Sequence, residues 1–407
     1  MTTARSVAQS ILDYNRGRDP ERLRRKFALL RADPYGFYRG TCHLFYAGLP
    51  RSAAPAGAPA VLVCGDLHLE NFGSYKGDNR LAYFDLNDFD EAALAPFTLE
   101  LLRFATSIHI AAEHLKLSAR QAAGLCRLFL EGYRKWILDG KPRWLERSTA
   151  DGMVRDLLRG LIKRKRRALL KARTQRTGAG RRLRLDERAL PLAKGERGRL
   201  KAFIERFGAA RGEPRFYRML DAARRVAGNG SLGLERYVLL VEGKGSPHGN
   251  YLLDLKLAVP SVLPPAAKIR QPRWDNEAQR VAGIQRIAQA ISPALLHAVT
   301  MGAKSYVLKE LQPVADRLDL RLWNGHIGRL ELAVASMAAV TAWAQLRSCS
   351  RHGACTVEEL QRYVAGSAWQ KAFPALAAQC SERALEQWAA WCKAYDAGGI
   401  SYRIAGL

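Results

Sequence analysis

The chain has 407 residues, 48% of them hydrophobic and 25% charged, with a mean hydropathy of −0.21, which reads as a globular protein large enough for two or three lobes. Its seven cysteines are odd in number and contain no Cys-x-x-Cys pair, which argues against a secreted disulfide framework and fits a reducing cytoplasm. The net charge of +27 favours anionic partners such as nucleic acid, nucleotides, phosphorylated metabolites or anionic membrane, without choosing among them.

Along the chain, helical spacing of apolar residues predicts helices over Val7 to Tyr14 and Leu23 to Leu30. The first residues show no apolar run and no small-residue cleavage site, so a secretory signal is not expected. The aromatic run Pro34 to Gly40 is expected to break the helical pattern. Ala60 to Cys64 and Arg80 to Phe84 read as short strands, each ending at an acidic motif. Helices are expected over Leu99 to Leu115, Ala119 to Ile137 and Met153 to Ala172. The stretch from Arg155 to Arg199 is dense in basic residues, among them Lys163-Arg164-Lys165-Arg166-Arg167 and Arg181-Arg182-Leu183-Arg184, around a flexible Thr177-Gly178-Ala179-Gly180. A Gly-rich loop, Gly228 to Gly233, then precedes a hairpin of Arg236 to Val241 and Tyr251 to Ala258. A helix over Asn276 to Ile291 and a strand at Ser305 to Leu311 follow. No apolar stretch approaches the roughly 20 residues that span a bilayer, and Leu332 to Ala344 reads as a buried helix.

The residues that carry chemistry cluster at the two strand ends. Asp66 and Asn71 have the spacing Asp-x-x-x-x-Asn on a loop, and the next strand delivers Asp85, Asp88, Asp90 and Glu91. In kinase-like sites an Asp orients or deprotonates the acceptor hydroxyl, an Asn holds a divalent ion, and an Asp after the next strand holds magnesium against the nucleotide phosphates. Asp66, Asn71 and Asp88 take those roles here, with Asp85 or Asp90 as further metal ligands and His68 in support near the transferred group. Gly228, Gly230, Ser231 and Gly233 can bring backbone N–H groups to phosphate, and Lys256 lies on the following strand where a phosphate-binding lysine would sit. Glu277 is its weakly supported helix partner. The basic run reads as a solvated face or a weak polyanion patch; it lacks interleaved aromatics, so base stacking has no support. Cys349, His352 and Cys355 lack a fourth ligand and do not make a zinc site.

The segments Cys64 to Gly73 and Phe84 to Glu91 resemble the signature of a bacterial family catalogued as domain of unknown function 2252, and the resemblance continues through Arg39-Gly40, Gly230 to Gly233, Leu255-Lys256 and Ala342 to Arg351. That family brings no activity with it. More locally, Gly65-Asp66-Leu67-His68 through Asn71 is similar to the Gly-Asp-Leu-His-x-x-Asn loop of aminoglycoside and choline kinases, and Asp88 to Ala92 to their metal-binding segment. Chain order departs from those kinases, because the Gly-rich loop and lysine follow the acidic loops instead of preceding them. A circularly permuted fold would account for this.

The expectation is therefore an α+β, protein-kinase-like two-lobed fold in permuted order. Residues 1–214 and 316–407 form a mainly helical large lobe, and residues 215–315 a small β-rich nucleotide lobe. The expected reaction is ATP- and Mg2+-dependent phosphotransfer to an unidentified hydroxyl acceptor. Two alternatives stay open: a metal-dependent phosphoesterase, since Asp66-Leu67-His68 also looks like the start of a two-metal site with Asn324-Gly325-His326 as a partial partner, and a silent nucleotide or nucleic-acid binder.

Overall fold

The apolar runs that end in acidic motifs form paired strands in the computed structural model, which describes residues 6–163, 166–178, 180–313, 317–398 and 400. Arg164, Lys165 and Ala179 of the basic run lie outside the described residues. The strands, in chain order, are β1 (Ala60–Val63), β2 (Phe72–Lys76), β3 (Ala82–Leu86), β4 (Ala93–Pro96), β5 (Thr174–Thr177), β6 (Gly180–Leu183), β7 (Ala189–Leu190), β8 (Met219–Arg225), β9 (Arg236–Val241), β10 (Tyr251–Leu257), β11 (His297–Met301) and β12 (Lys304–Glu310). β1 pairs with β4 and β2 with β3, both antiparallel. β5 and β6 form a hairpin within the basic run, and the remaining six strands form one antiparallel sheet in the order β11-β12-β10-β9-β8-β7.

Side-chain alternation divides that sheet into two faces. Tyr237, Leu239 and Val241 of β9, with Tyr251, Leu253 and Leu255 of β10, pack on Leu200, Phe203 and Ile204 of the helix Glu196–Ala210. Val238, Leu240 and Leu252 face the other way, against Leu170, Leu183 and Ala189. The sheet therefore draws on residues well before 215, from the basic run itself. The register places Arg236 opposite Lys256 and Asp254 opposite Val238, so all three polar residues share this second face.

The helical body is built around one large core. The helices Phe97–Ala111, Ala119–Asp139 and Ile327–Ser348 supply most of it, and Glu277–Ala288 joins it from the sheet side through Ala278, Val281 and Ile284. Ile327–Ser348 is long and apolar enough to cross a membrane by length and composition, yet 61% of its most apolar window is buried inside the protein. Near the N-terminus, Ile11, Leu12, Leu23 and Phe27 close a smaller core with Trp391 of the helix Phe373–Asp396.

One local expectation changes. Pro34 to Gly40 is a helix and not a break, because Asp33 caps it through Gly36 N–H at 2.7 Å and the proline sits in the first turn, where its missing N–H costs nothing. The helix expected over Met153 to Ala172 is seen as Gly152–Lys163 and Arg166–Arg173, and residues 164–165 between them lie outside the described residues. The mixture of helix and antiparallel sheet is an α+β architecture.

Candidate functional site

The loop after β1 is fixed by buried ionic groups that come from one helix. Glu100 Oε1 accepts from the N–H groups of Cys64 (2.7 Å) and Gly65 (3.2 Å), while Gln345 donates to its Oε2 at 2.7 Å. Arg103, one turn along, donates from Nε to Asp66 Oδ1 at 2.6 Å and to the same oxygen through Nη2 at 2.5 Å. The Arg103 guanidinium is fully buried beneath the rings of Tyr38 and Phe45, at 4.3 and 5.0 Å. Burial alone would disfavour its charge, but Asp66 beside it raises its pKa. Asp66 is thus oriented by a cation that cannot turn away. Neither Glu100 nor Arg103 was picked out by sequence reasoning, although a lone Glu and a lone Arg in the otherwise uncharged helix Phe97–Ala111 were a signal for both.

Asn71 ties the two acidic segments together. Its amide NH2 donates to the carbonyls of Asp66 (2.9 Å) and Asp88 (3.2 Å), and its Oδ1 accepts from Asp88 N–H (2.8 Å) and Asn87 N–H (3.3 Å). With its oxygen accepting twice, Asn71 has no lone pair left for a cation in this arrangement; it positions Asp66 and Asp88 instead. His68 is buried, and burial together with Arg39, Arg103 and Arg317 holds its pKa well below the usual value. Its Nδ1 accepts from Glu70 N–H at 3.1 Å, which assigns the proton of the neutral ring to Nε2.

The carboxylates of the second segment separate. Asp85 is buried on β3, where burial pushes its pKa up to about 6 against the opposing influence of Arg347. It does not line the cavity that holds Asp66 and Asp88, so it leaves the expected metal set because strand alternation turns it to the other side. Asp88 and Asp90 converge on Lys256: Nζ lies 3.7 Å from Asp88 Oδ2 and in direct contact with Asp90 Oδ2. Asp88 is open to solvent, and although partial desolvation works against its ionisation, Lys256, Lys309 and Arg236 outweigh this and hold the carboxyl below the usual range. Asp90 moves the opposite way, raised by burial and by the charge of Asp88. Glu91, behind them, is pushed up to about 7 chiefly by burial and accepts from Val262 N–H at 2.7 Å. Arg280 of the helix Glu277–Ala288 holds this bend by donating to the carbonyls of Asp90 and Ala92. Glu277 pairs with Arg280 at 2.6 Å and not with Lys256.

The Gly-rich loop closes the same cavity. Asp66, His68, Asp88, Asp90, Gly228, Gly230 and Ser231 all line it, although the two sets of motifs lie far apart in the chain. Cations grip the loop by its carbonyls: Arg18 donates to Gly230 O (2.7 Å) and Leu232 O (3.2 Å), Lys26 to Gly230 O (2.9 Å), and Arg22 to Leu234 O (2.8 Å). Lys26 is completely buried, and burial, with Arg18 beside it, drives its pKa well below the usual value. Gly233 has φ +89 and approaches Arg18 so closely that a Cβ would lie 2.8 Å from the Arg18 Cβ. The cavity as it stands is about 70 Å3, room for a few waters, so a nucleotide would enter only as the loop moves off the carboxylates.

Among the described residues no group of three or more His, Cys, Asp or Glu side chains meets at metal-ligand spacing. The carboxylates that remain for a cation are Asp88 and Asp90, and both converge on Lys256 Nζ. His326 is exposed at the start of the helix Ile327–Ser348 and stands outside this cavity, so it offers the phosphoesterase pattern no second site. His352 stacks on Trp274 at 4.6 Å. In the basic run, Arg181 is buried and bonded to Pro247 O and Thr174, while Arg182, Arg184 and Arg197 border an open cavity of about 1170 Å3.

No curated protein and no solved structure matches the chain significantly. The model of the family described as "Uncharacterized protein conserved in bacteria", domain of unknown function 2252, matches residues 18–394, and the chain belongs to that family.

Proposed function

We propose that the protein transfers the γ-phosphoryl group of ATP, with Mg2+, to a hydroxyl acceptor, in a kinase-like site whose motifs occur in permuted order. The observation that carries this reading is the meeting of Lys256 with Asp88 and Asp90, two carboxylates that line one cavity with Asp66 and the Gly228 to Ser231 loop. This lysine stands between two carboxylates, and both share a cavity with the Gly-rich loop and with a third carboxylate, Asp66, held by Arg103.

In this reading Asp66 accepts the proton of the acceptor hydroxyl as its oxygen bonds to the γ-phosphorus. The bond from that phosphorus to the β–γ bridging oxygen breaks, and ADP leaves with the electron pair. His68, neutral, offers Nε2–H. Lys256 and the backbone N–H groups of residues 228–233 hold the phosphates, with Gly228, Gly230 and Gly233 giving them room to approach. When bound, Mg2+ would sit on Asp88 and Asp90 and screen the charge of the phosphates.

Calorimetric titration with ATP, with and without Mg2+, tests it. Affinity should appear only with Mg2+. Asp88→Ala should remove the metal dependence, and Lys256→Ala should weaken binding about tenfold or more. Asp66→Ala should leave binding nearly intact and abolish turnover, because a base that touches only the acceptor acts in the transition state. No Mg2+-dependent binding by the wild-type protein at millimolar ATP would end the proposal, and binding without turnover on any alcohol would favour a nucleotide sensor.

A further inference from the structure

A second cavity, of about 780 Å3, adjoins the first. Between them stand paired side chains, one member lining each cavity. Arg39 lines the first cavity and its salt-bridge partner Glu70 (2.5 Å) the second; His68 lines the first and Tyr35, its edge-on ring neighbour at 6.2 Å between centroids, the second. Arg317 lines both. The volume suits a small organic ligand, and the floor is apolar, with Leu69, Leu115, Met153, Leu157, Leu318 and Leu320 along it.

The charges at its rim neutralise one another. Asp319 pairs with Arg321 at 2.8 Å, Asp156 with Arg329 at 3.4 Å, and Glu70 with Arg39. Arg317 is the exception, with no carboxylate at salt-bridge distance among the described residues; Glu70 and Asp88 act on it only from further away. Arg317 is exposed at the edge of this apolar hollow, where a ligand with an apolar body and one negative charge can fill the hollow and pair with it.

We propose that this second cavity binds the acceptor, an alcohol with an apolar body and one anionic group, and that Arg317 pairs with that group at the junction with the Asp66 cavity. This rests on the phosphotransfer reading for the word acceptor, while the binding site stands by itself. Arg317 is then a specificity-determining residue.

The probe is anilinonaphthalene sulfonate, compared with N-phenylnaphthylamine, which has the same apolar body without the charge. Both are titrated by fluorescence into the folded protein, whose thermal unfolding is recorded for each variant. The wild-type protein should bind the sulfonate saturably and about tenfold more tightly than the neutral amine. Arg317→Gln should bring the two to parity by weakening only the sulfonate, Arg317→Lys should restore part of the difference, and Leu157→Trp, which fills the hollow, should weaken both about tenfold or more. Saturating Mg2+–ATP should not displace the probe. Absence of saturable binding, equal affinities in the wild type, indifference to Leu157→Trp, or displacement by Mg2+–ATP would each overturn the proposal. Magnesium-dependent ATP binding without probe binding would defeat only this inference; probe binding without ATP binding would defeat phosphotransfer and leave the cavity assigned.

Discussion

Neither ring nitrogen of His43 finds a hydrogen-bond partner in the protein, although both are buried and the ring stacks on Tyr14 at 4.0 Å. Burial pushes its pKa down to about 3, and Lys26, Arg18 and Arg103 push in the same direction. The cations gathered round the Gly-rich loop thus keep a histidine neutral at the far side of the cavity wall. The unfolded chain takes up this proton near pH 6.5, so the folded state binds fewer protons between there and about 3. Its contribution to stability is complete above about 6.5 and is lost as pH falls through that window. His43→Phe keeps the stacked ring and removes the proton site. The wild-type melting temperature should therefore drop more steeply than that of the variant between about pH 7 and about pH 4. Parallel curves would show that His43 accepts its proton freely in the folded protein.

The turn after β1 and the Gly-rich loop both use glycine, but for different reasons. Gly65 has φ +83, and a Cβ there would lie 2.0 Å from the carbonyl oxygen of Glu91. The two acidic loops can approach each other only because nothing projects at 65. Gly65→Ala should cost roughly 3 kcal/mol or more, from strain and from forcing the loops apart. Gly230→Ala, whose Cβ would meet only Arg39 O at 3.7 Å, should stay within about 0.5 kcal/mol of wild type. Urea unfolding of the two variants makes the comparison, and equal losses would contradict it. The same elements explain what could be read from sequence. The strand ending before Cys64 and the one carrying Asp85 were legible because a short run of β-branched or aromatic residues followed by Gly-Asp or clustered Asp is a local pattern, and Lys256 was legible through alternation on β10. Short strands without such a run, β2, β4 and β11, were not. Nor were Arg18, Arg103 and Arg280: among 65 Lys and Arg residues, charge by itself cannot mark the few that turn inward, and their partners are carbonyls and carboxylates brought up by distant segments; nor was Arg317, exposed where the two cavities meet. Asn71 was placed in the right loop, but the direction of its amide follows from the loop-to-loop packing that no spacing encodes.

At the scale of the molecule the positive charge is unevenly employed. Arg181 is built into the fold and Arg197 and Arg199 pair with Asp221 and Glu235, while Lys171, Arg176, Arg182 and Arg184 remain on the surface. Such a face should bind nucleic acid weakly and without regard to sequence, with an affinity that falls linearly in the logarithm of salt concentration. Filter binding to a random duplex at several salt concentrations checks this; affinity independent of salt, or none at low ionic strength, would leave the run a solvated surface. The grip of Arg18 and Lys26 on Gly230 has a different consequence. The partners stand 212 and 204 residues apart in the chain, and contacts of such separation form late because a long loop must first be closed. On a ribosome adding roughly 5–20 residues per second, the N-terminal cations wait about 10–40 s before the carbonyls they will hold have been made. During that interval Lys26 is solvated and fully charged, and its bond to Gly230 can form only once that carbonyl exists. The Gly-rich loop thus takes its place in the cavity only after more than half of the chain has been synthesised, and Val259 and Arg317, which line the same cavity, come later still.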